Sequence, residues 1–240
     1  MKRIISVSTG LLYRITEDKN EQIERIRPFS PKGIELMLNS PESVRKIKLK
    51  EENISYLRSL EFVTIHAPSA SGVIYQNDKE TEGLLEKLSF LYNEVGAKNI
   101  TFHIDQITDC DILSSYPWQY SVENSDNRKS CGQKPEEMEK FLIKDNQAKF
   151  TFDFAHAMQV NPDYVKKFLE LKEKISEIHV SVCQTQLKEH HFISRNLTKI
   201  IEKKLNLLPA GCPFVTEAVA ISEEEVPYIK TEILFLSLLD

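Results

Sequence analysis

Only six histidines occur in the chain, and four of them stand at or just beyond the ends of short apolar segments: His66, His103, His156 and His179. Carboxylates hold equivalent positions at Glu123, Asp153 and Glu217, and the stretch Thr151-Phe152-Asp153-Phe154-Ala155-His156 carries both types three residues apart. The remaining pair, His190 and His191, follows directly after Glu189. An isolated D-x-x-H is ordinarily a helix cap beside a hydrogen-bonded surface histidine. The recurrence of such residues at six segment ends points instead to convergent metal ligands. Imidazole and carboxylate donors without thiolate suit Zn, Mn or Fe(II), and the oxygen-rich subset suits Mg or Mn.

The elements that would bring these residues together are legible as a pattern. Eight β-rich apolar segments recur, at 4–7, 33–37, 62–66, 100–103, 120–123, 150–153, 178–181 and 214–217. Stretches with apolar residues at three- and four-residue spacing lie between them, at 20–26, 81–95, 135–143, 163–175, 195–207 and 223–238, and read as helices. Ser40-Pro41-Glu42 and Asn161-Pro162-Asp163 carry helix-start signals. Strands that alternate with helices form parallel β-α-β units, and eight units predict a single-domain α/β chain, residues 1–240, folded as a (β/α)8 TIM barrel. The interval from His103 to Glu123, with Ser114-Ser115-Tyr116-Pro117, leaves room only for an abbreviated helix. An open doubly wound sheet is the alternative, but neither G-x-G-x-x-G nor G-x-x-x-x-G-K is present to cradle phosphates. In a barrel the strand ends converge on one mouth, where chemistry collects.

Composition narrows the class. At 240 residues and 41% hydrophobic content, the chain can bury a sizeable core. No apolar run reaches a membrane-spanning length, and the apolar part of the N-terminus is too short for a signal peptide, so a soluble, cytoplasmic monomer is expected, with no membrane partner. Cys110, Cys131, Cys183 and Cys212 lie far apart without C-x-x-C spacing, which fits reduced thiols. A net charge of −5 argues against a general nucleic-acid binder while leaving room for a local basic patch.

The segments Gly33-Ile34-Glu35-Leu36, His66-Ala67-Pro68, Val122-Glu123-Asn124, Asp153-Phe154-Ala155-His156, His179-Val180-Ser181 and Thr216-Glu217 resemble the xylose-isomerase-like barrel superfamily. That superfamily contains endonuclease IV and many sugar isomerases and epimerases, and the resemblance spans nearly the whole chain. In the isomerases a Glu, Asp, His, Glu set, here Glu123, Asp153, His179 and Glu217, holds one divalent metal. Endonuclease IV adds histidines on strands three and four and a carboxylate-x-His pair after strand seven, which His66, His103 and Glu189-His190-His191 match.

The resemblance to that branch implies three zinc ions: one on His66, His103 and Glu123, a second on Glu123, Asp153, His179 and Glu217, and a third on His156, Glu189 and His191. His190 is left over as a surface residue. It implies a zinc-dependent hydrolase, an AP endonuclease cleaving the phosphodiester 5′ to abasic sites in damaged DNA. The alternative is a sugar or sugar-phosphate isomerase or epimerase with one Mn, Mg or Co ion, in which Glu123 and Glu217 are the catalytic acid-base pair; a non-catalytic barrel is the third reading. Two departures bear on DNA as substrate. Ser69 stands where that branch has an aromatic, with Tyr75 as a candidate stand-in, and the loops are short. Arg14, Arg128, Lys129, Lys188 and Arg195 are candidate phosphate contacts.

Overall fold

Bulky apolar and small polar side chains alternate along the strands, and this alternation sorts the two faces of a closed sheet. The computed structural model describes residues 3–70, 72–183 and 190–239. Its barrel strands are β1 (Ile5–Ser8), β2 (Gly33–Met37), β3 (Phe62–His66), β4 (Asn99–His103), β5 (Tyr120–Glu123), β6 (Lys149–Asp153) and β7 (Ile175–Val180). A short antiparallel ribbon, β8 (Val182–Cys183) with β9 (His190–His191), follows, and β10 (Phe214–Thr216) closes the barrel between β7 and β1. All eight barrel pairings are parallel.

Outward-facing residues such as Ile34, Ile65, Phe102, Val122, Phe152 and Val180 are fully buried beneath the covering helices, which supply the apolar layer that stabilises the sheet. The inward face is polar. Thr64, Asn99, Thr101, Ser121, Thr151 and Glu177 are buried, and successive register partners Thr64↔Asn99, Thr101↔Ser121 and Thr151↔Glu177 place them on one side of the sheet. Several of them bond one another: Asn99 Nδ2 donates to Ser121 Oγ at 2.6 Å and to Glu177 Oε1 at 2.8 Å, and Thr101 Oγ1 lies 3.0 Å from Thr151 Oγ1. Gly33 is required by close approach, since a Cβ there would meet the Phe62 carbonyl at 2.3 Å.

The predicted strands all form. The abbreviated connection between β4 and β5 is a 3-10 turn at Ile104–Gln106 and a single helical turn at Asp111–Ser114. Three predicted helices are broken rather than continuous. The stretch 163–175 is an α-helix Tyr164–Phe168 running into a 3-10 segment Leu169–Lys174, 195–207 divides into Ile193–Asn196 and Lys199–Leu205, and 223–238 divides into Glu223–Glu225 and Tyr228–Leu236. The second break follows from Thr198, whose hydroxyl caps the amide of Ile201, and the third falls at Pro227, which has no amide hydrogen to continue a ladder. Helix Pro41–Lys46 begins at the start signal of Ser40-Pro41-Glu42, with Ser40 as its cap, and helix Glu51–Ser59 adds to those expected. No helix among the described residues is long and apolar enough to cross a membrane.

Candidate metal centre

Parallel register sets the strand-end residues side by side. His103 is the Cα partner of Glu123, and Asp153 of His179. Glu123, only 1% exposed, is the hub. Its Oε2 lies 3.2 Å from His66 Nε2 and 3.1 Å from His103 Nε2, while its Oε1 lies 3.2 Å from His179 Nδ1. His179 Nδ1 is also 3.1 Å from Glu217 Oε2. Donor atoms of His66, His103 and Glu123 all fall within 4.8 Å of one another, and so do those of Glu123, Asp153, His179 and Glu217.

The chemistry of these donors fits divalent cations. His66 Nδ1 donates to the Ala67 carbonyl at 2.9 Å, so in the neutral ring Nε2 turns a lone pair toward a carboxylate oxygen, an arrangement that calls for positive charge between them. Asp153 uses Oδ1 to cap the amide of His156 at 2.6 Å, and its Oδ2 is buried without a hydrogen-bond partner among the described residues. Buried carboxylates held this closely need compensating charge. The electrostatic balance at these side chains reflects the same crowding. Burial works against protonating His66, but the hydrogen bond and charge of Glu123 outweigh it and raise the imidazole to about 9. Burial pushes Glu217 up to about 7 despite the neighbouring His179.

His156 joins from the first turn of the helix Phe154–Val160 that follows β6, its Nδ1 donating to the Asn124 carbonyl at 2.8 Å. The partner it finds is His190, with ring centroids 5.3 Å apart at 87°. His190 Nδ1 is 2.7 Å from Ser181 Oγ, so in both rings Nε2 is the nitrogen left for coordination. This corrects the sequence expectation of a surface role for His190. In the ribbon His190 pairs with Cys183 and His191 with Val182, and strand alternation sends the two histidines to opposite faces. His190 lines the site cavity, whose lining does not include His191. Glu189 and Lys188 lie outside the described residues.

The cavity above the cluster has a volume of about 280 Å³. Tyr13, Asn39, Ser69, Arg128 and Lys129 form its upper wall, and Tyr13 and Asn39 also border an adjoining chamber of about 450 Å³ that contains Lys19. Tyr13, Asn39 and His190 were not anticipated from sequence; the dipeptide Tyr13-Arg14 just beyond β1 was the available signal for the first. Among the candidate phosphate contacts, Arg128 and Lys129 reach the cavity, Arg128 braced by Asp126 and Lys129 Nζ 3.4 Å from Asp105 Oδ2. Arg14 Nε instead donates to Tyr13 Oη at 2.9 Å, and Arg195 pairs with Glu225 at 3.0 Å. Tyr75 cannot act as an inserted aromatic. It is 0% exposed, packed edge-on against Phe102 and bonded through its hydroxyl to the Pro68 carbonyl.

On the inner side, Glu35 Oε2 lies 3.2 Å from His179 Nε2, with both residues fully buried.

No protein-family model matches the sequence, and no curated protein aligns with it significantly. Solved structures do match over the full chain. A D-tagatose 3-epimerase-like protein is 19% identical, with 99% of this chain and 97% of that one covered and a TM-score of 0.69. Endonuclease IV from Thermus thermophilus is 14% identical, with 100% and 98% covered and a TM-score of 0.66. D-psicose 3-epimerase from Clostridium cellulolyticum, solved with D-tagatose, is 11% identical, with 100% and 99% covered and a TM-score of 0.68. The closed parallel barrel and these likenesses together establish that the chain has a (β/α)8 TIM-barrel fold, the fold of those structures.

Proposed function

We propose that the protein is a multinuclear metal-dependent phosphodiesterase resembling endonuclease IV, with abasic-site DNA as its most concrete substrate. One observation carries the reading: Glu123 turns one carboxylate oxygen to His66 and His103 and the other to His179. A carboxylate so placed serves two cation positions, whereas a mononuclear isomerase has no need of the two imidazoles on its far side. In this reading His66, His103 and Glu123 hold one ion, Glu123, Asp153, His179 and Glu217 a second, and His156 with His190 a third. Divalent ions in such a cluster supply Lewis acidity, making water a nucleophile near neutral pH and offsetting charge on phosphoryl oxygens. The chain's own groups orient the substrate. Arg128 and Lys129 offer cationic donors at the cavity wall, suited to a phosphate, and the half-buried Tyr13 offers a ring face at the mouth.

A second reading, a mononuclear sugar isomerase or epimerase, is favoured by Glu217. A carboxyl brought to about 7 by burial is suited to moving a proton beside a carbonyl, with Glu123 as its counterpart. The two epimerase-type neighbours are consistent with it. Metal content after purification without chelators, followed by assays on an abasic-site oligonucleotide and on a ketose panel, separates the two. Two or three ions per chain and strand cleavage support the phosphodiesterase. One ion per chain with ketose epimerisation and no cleavage would replace it with the isomerase.

A further inference from the structure

Four groups, Glu123, Asp153, His179 and Glu217, converge at the mouth, but His179 also has a second nitrogen facing the barrel interior. Its Nδ1 looks toward Glu123 and Glu217 at 3.2 and 3.1 Å, and its Nε2 lies 3.2 Å from Glu35 Oε2. Once Nδ1 is committed to a cation, the neutral ring carries its proton on Nε2, where a carboxylate can accept it. Glu35 is 0% exposed and is the register partner of Thr64 on the inward face of β2.

Beneath it lies Glu177, also 0% exposed. Its Oε1 is fixed by Asn99 Nδ2 and Thr101 Oγ1, both at 2.8 Å. Atoms of Glu35, Glu177 and His179 all fall within 4.8 Å of one another. Both carboxylate oxygens of Glu35, Glu177 Oε2 and His179 Nε2 are buried without hydrogen-bond partners among the described residues. The 3.2 Å approach of Glu35 Oε2 to His179 Nε2 is therefore a close ion-pair contact that metal binding at Nδ1 would turn into a hydrogen bond. Buried polar groups thus line the barrel interior from Asn99 and Thr101, past Glu177 and Glu35, to His179.

We propose that Glu35 is a positioning residue that fixes the ring orientation and tautomer of His179 for cation binding. The inference rests on Glu123, Asp153, His179 and Glu217 holding a cation and is independent of which reaction that cation serves. A carboxylate that orients a ligating imidazole typically changes metal affinity by about ten- to a hundred-fold, and this column assigns that role to Glu35.

The test measures cobalt(II) binding by elemental analysis, chelator competition and visible absorption, comparing wild type, Glu35→Gln and Glu35→Ala. The amide oxygen of Gln can still accept from Nε2–H, so Glu35→Gln is expected to stay within about threefold of wild type, while Glu35→Ala weakens cobalt binding about ten- to a hundred-fold and alters its absorption bands. Equal affinity and an unchanged spectrum in Glu35→Ala would overturn the assignment, as would a Gln variant that loses as much as Ala. Should Glu35→Ala not fold, nitrogen-15 spectra of histidine-labelled, zinc-loaded wild type decide: a His179 Nε2–H protected from exchange supports the role, and a His179 ring protonated on Nδ1 overturns it. An additional ion per chain that is lost in Glu177→Gln would likewise overturn it, because Glu35, Glu177 and His179 would then be ligands themselves. A wild-type protein that binds no cobalt would instead remove the metal reading on which the inference stands.

Discussion

Glu123 Oε2 stands 3.1 Å from His103 Nε2 at the point where β5 and β4 run in register. His103 has no task in a site built only from Glu123, Asp153, His179 and Glu217. His103→Ala is therefore expected to lower metal content by one ion per chain and to reduce phosphodiester cleavage by about a hundredfold or more. An isomerase activity would survive the same change largely intact. Elemental analysis and an abasic-site cleavage assay check this, and unimpaired cleavage would end the multinuclear assignment.

The contrast between His190 and His191 provides a second comparison within one dipeptide. His190 faces His156 across 5.3 Å, whereas His191 lies on the other face of the ribbon. His190→Ala is expected to lower cleavage by at least about tenfold and to weaken the last-bound ion, while His191→Ala changes either by less than about threefold. Zinc titration followed by calorimetry distinguishes them, and the reverse order would restore the assignment implied by resemblance.

The legible and illegible parts of this chain differ in physical kind. His66, His103, Glu123, Asp153 and His179 could be placed because each ends or interrupts a strand whose apolar residues mark the opposite face, and period-two alternation is a local property. Glu35 and Glu177 sit in equally readable strands, but their roles depend on facing His179 across the barrel, a relation set by closure. His190 depends on the pairing of Val182 with His191, which no neighbouring residue announces. The helices Pro41–Lys46 and Glu51–Ser59 each bury few side chains, Val44 in the first and Asn53, Ile54 and Leu57 in the second, so their periodicity is faint. Tyr75 looked like an exposed loop aromatic because its burial comes from a bridge to Ile107, far along the chain beyond β4.

Metal removal should register in stability as well as activity. Buried carboxylates of the cluster are left facing one another when cations leave, and a ligand at a hundred times its dissociation constant stabilises by about 2.7 kcal/mol. Exhaustive chelation and dialysis is expected to lower the melting temperature by several degrees and abolish activity, with both restored by Zn or Mn. Undiminished activity in the dialysed protein would rule out a metal mechanism altogether.

Tyr75 has a structural role that can be measured apart from catalysis. Removing its hydroxyl in Tyr75→Phe leaves the Pro68 carbonyl without its 2.9 Å donor and is expected to cost about 1 kcal/mol. Tyr75→Ala also opens a void against Phe102 and should cost about 3–5 kcal/mol. Denaturant titration measures both. Substrate affinity in Tyr75→Phe is expected to be unchanged, since a fully buried ring cannot contact a ligand; a large loss of affinity without a loss of stability would contradict this placement.

Lys19 gives a prediction with a definite pH sign. Its ammonium donates to Gln22 Oε1 at 2.7 Å beside the larger chamber, and burial, only partly offset by Glu17, brings it down to about 8. In the unfolded chain the group titrates near 10.5, so between those values the unfolded state binds more protons and folding becomes more favourable as pH rises. The cost of burying the charge is fully present below about 8 and is gone above 10.5. Lys19→Met is accordingly expected to stabilise the protein at pH 7 by about 1 kcal/mol, the open chamber and the lost Gln22 bond discounting a larger figure. The difference should shrink as pH approaches 10.5. Denaturant titrations of both proteins at pH 7 and pH 10 check it, and a stabilisation that grows with pH would reverse the sign of the linkage.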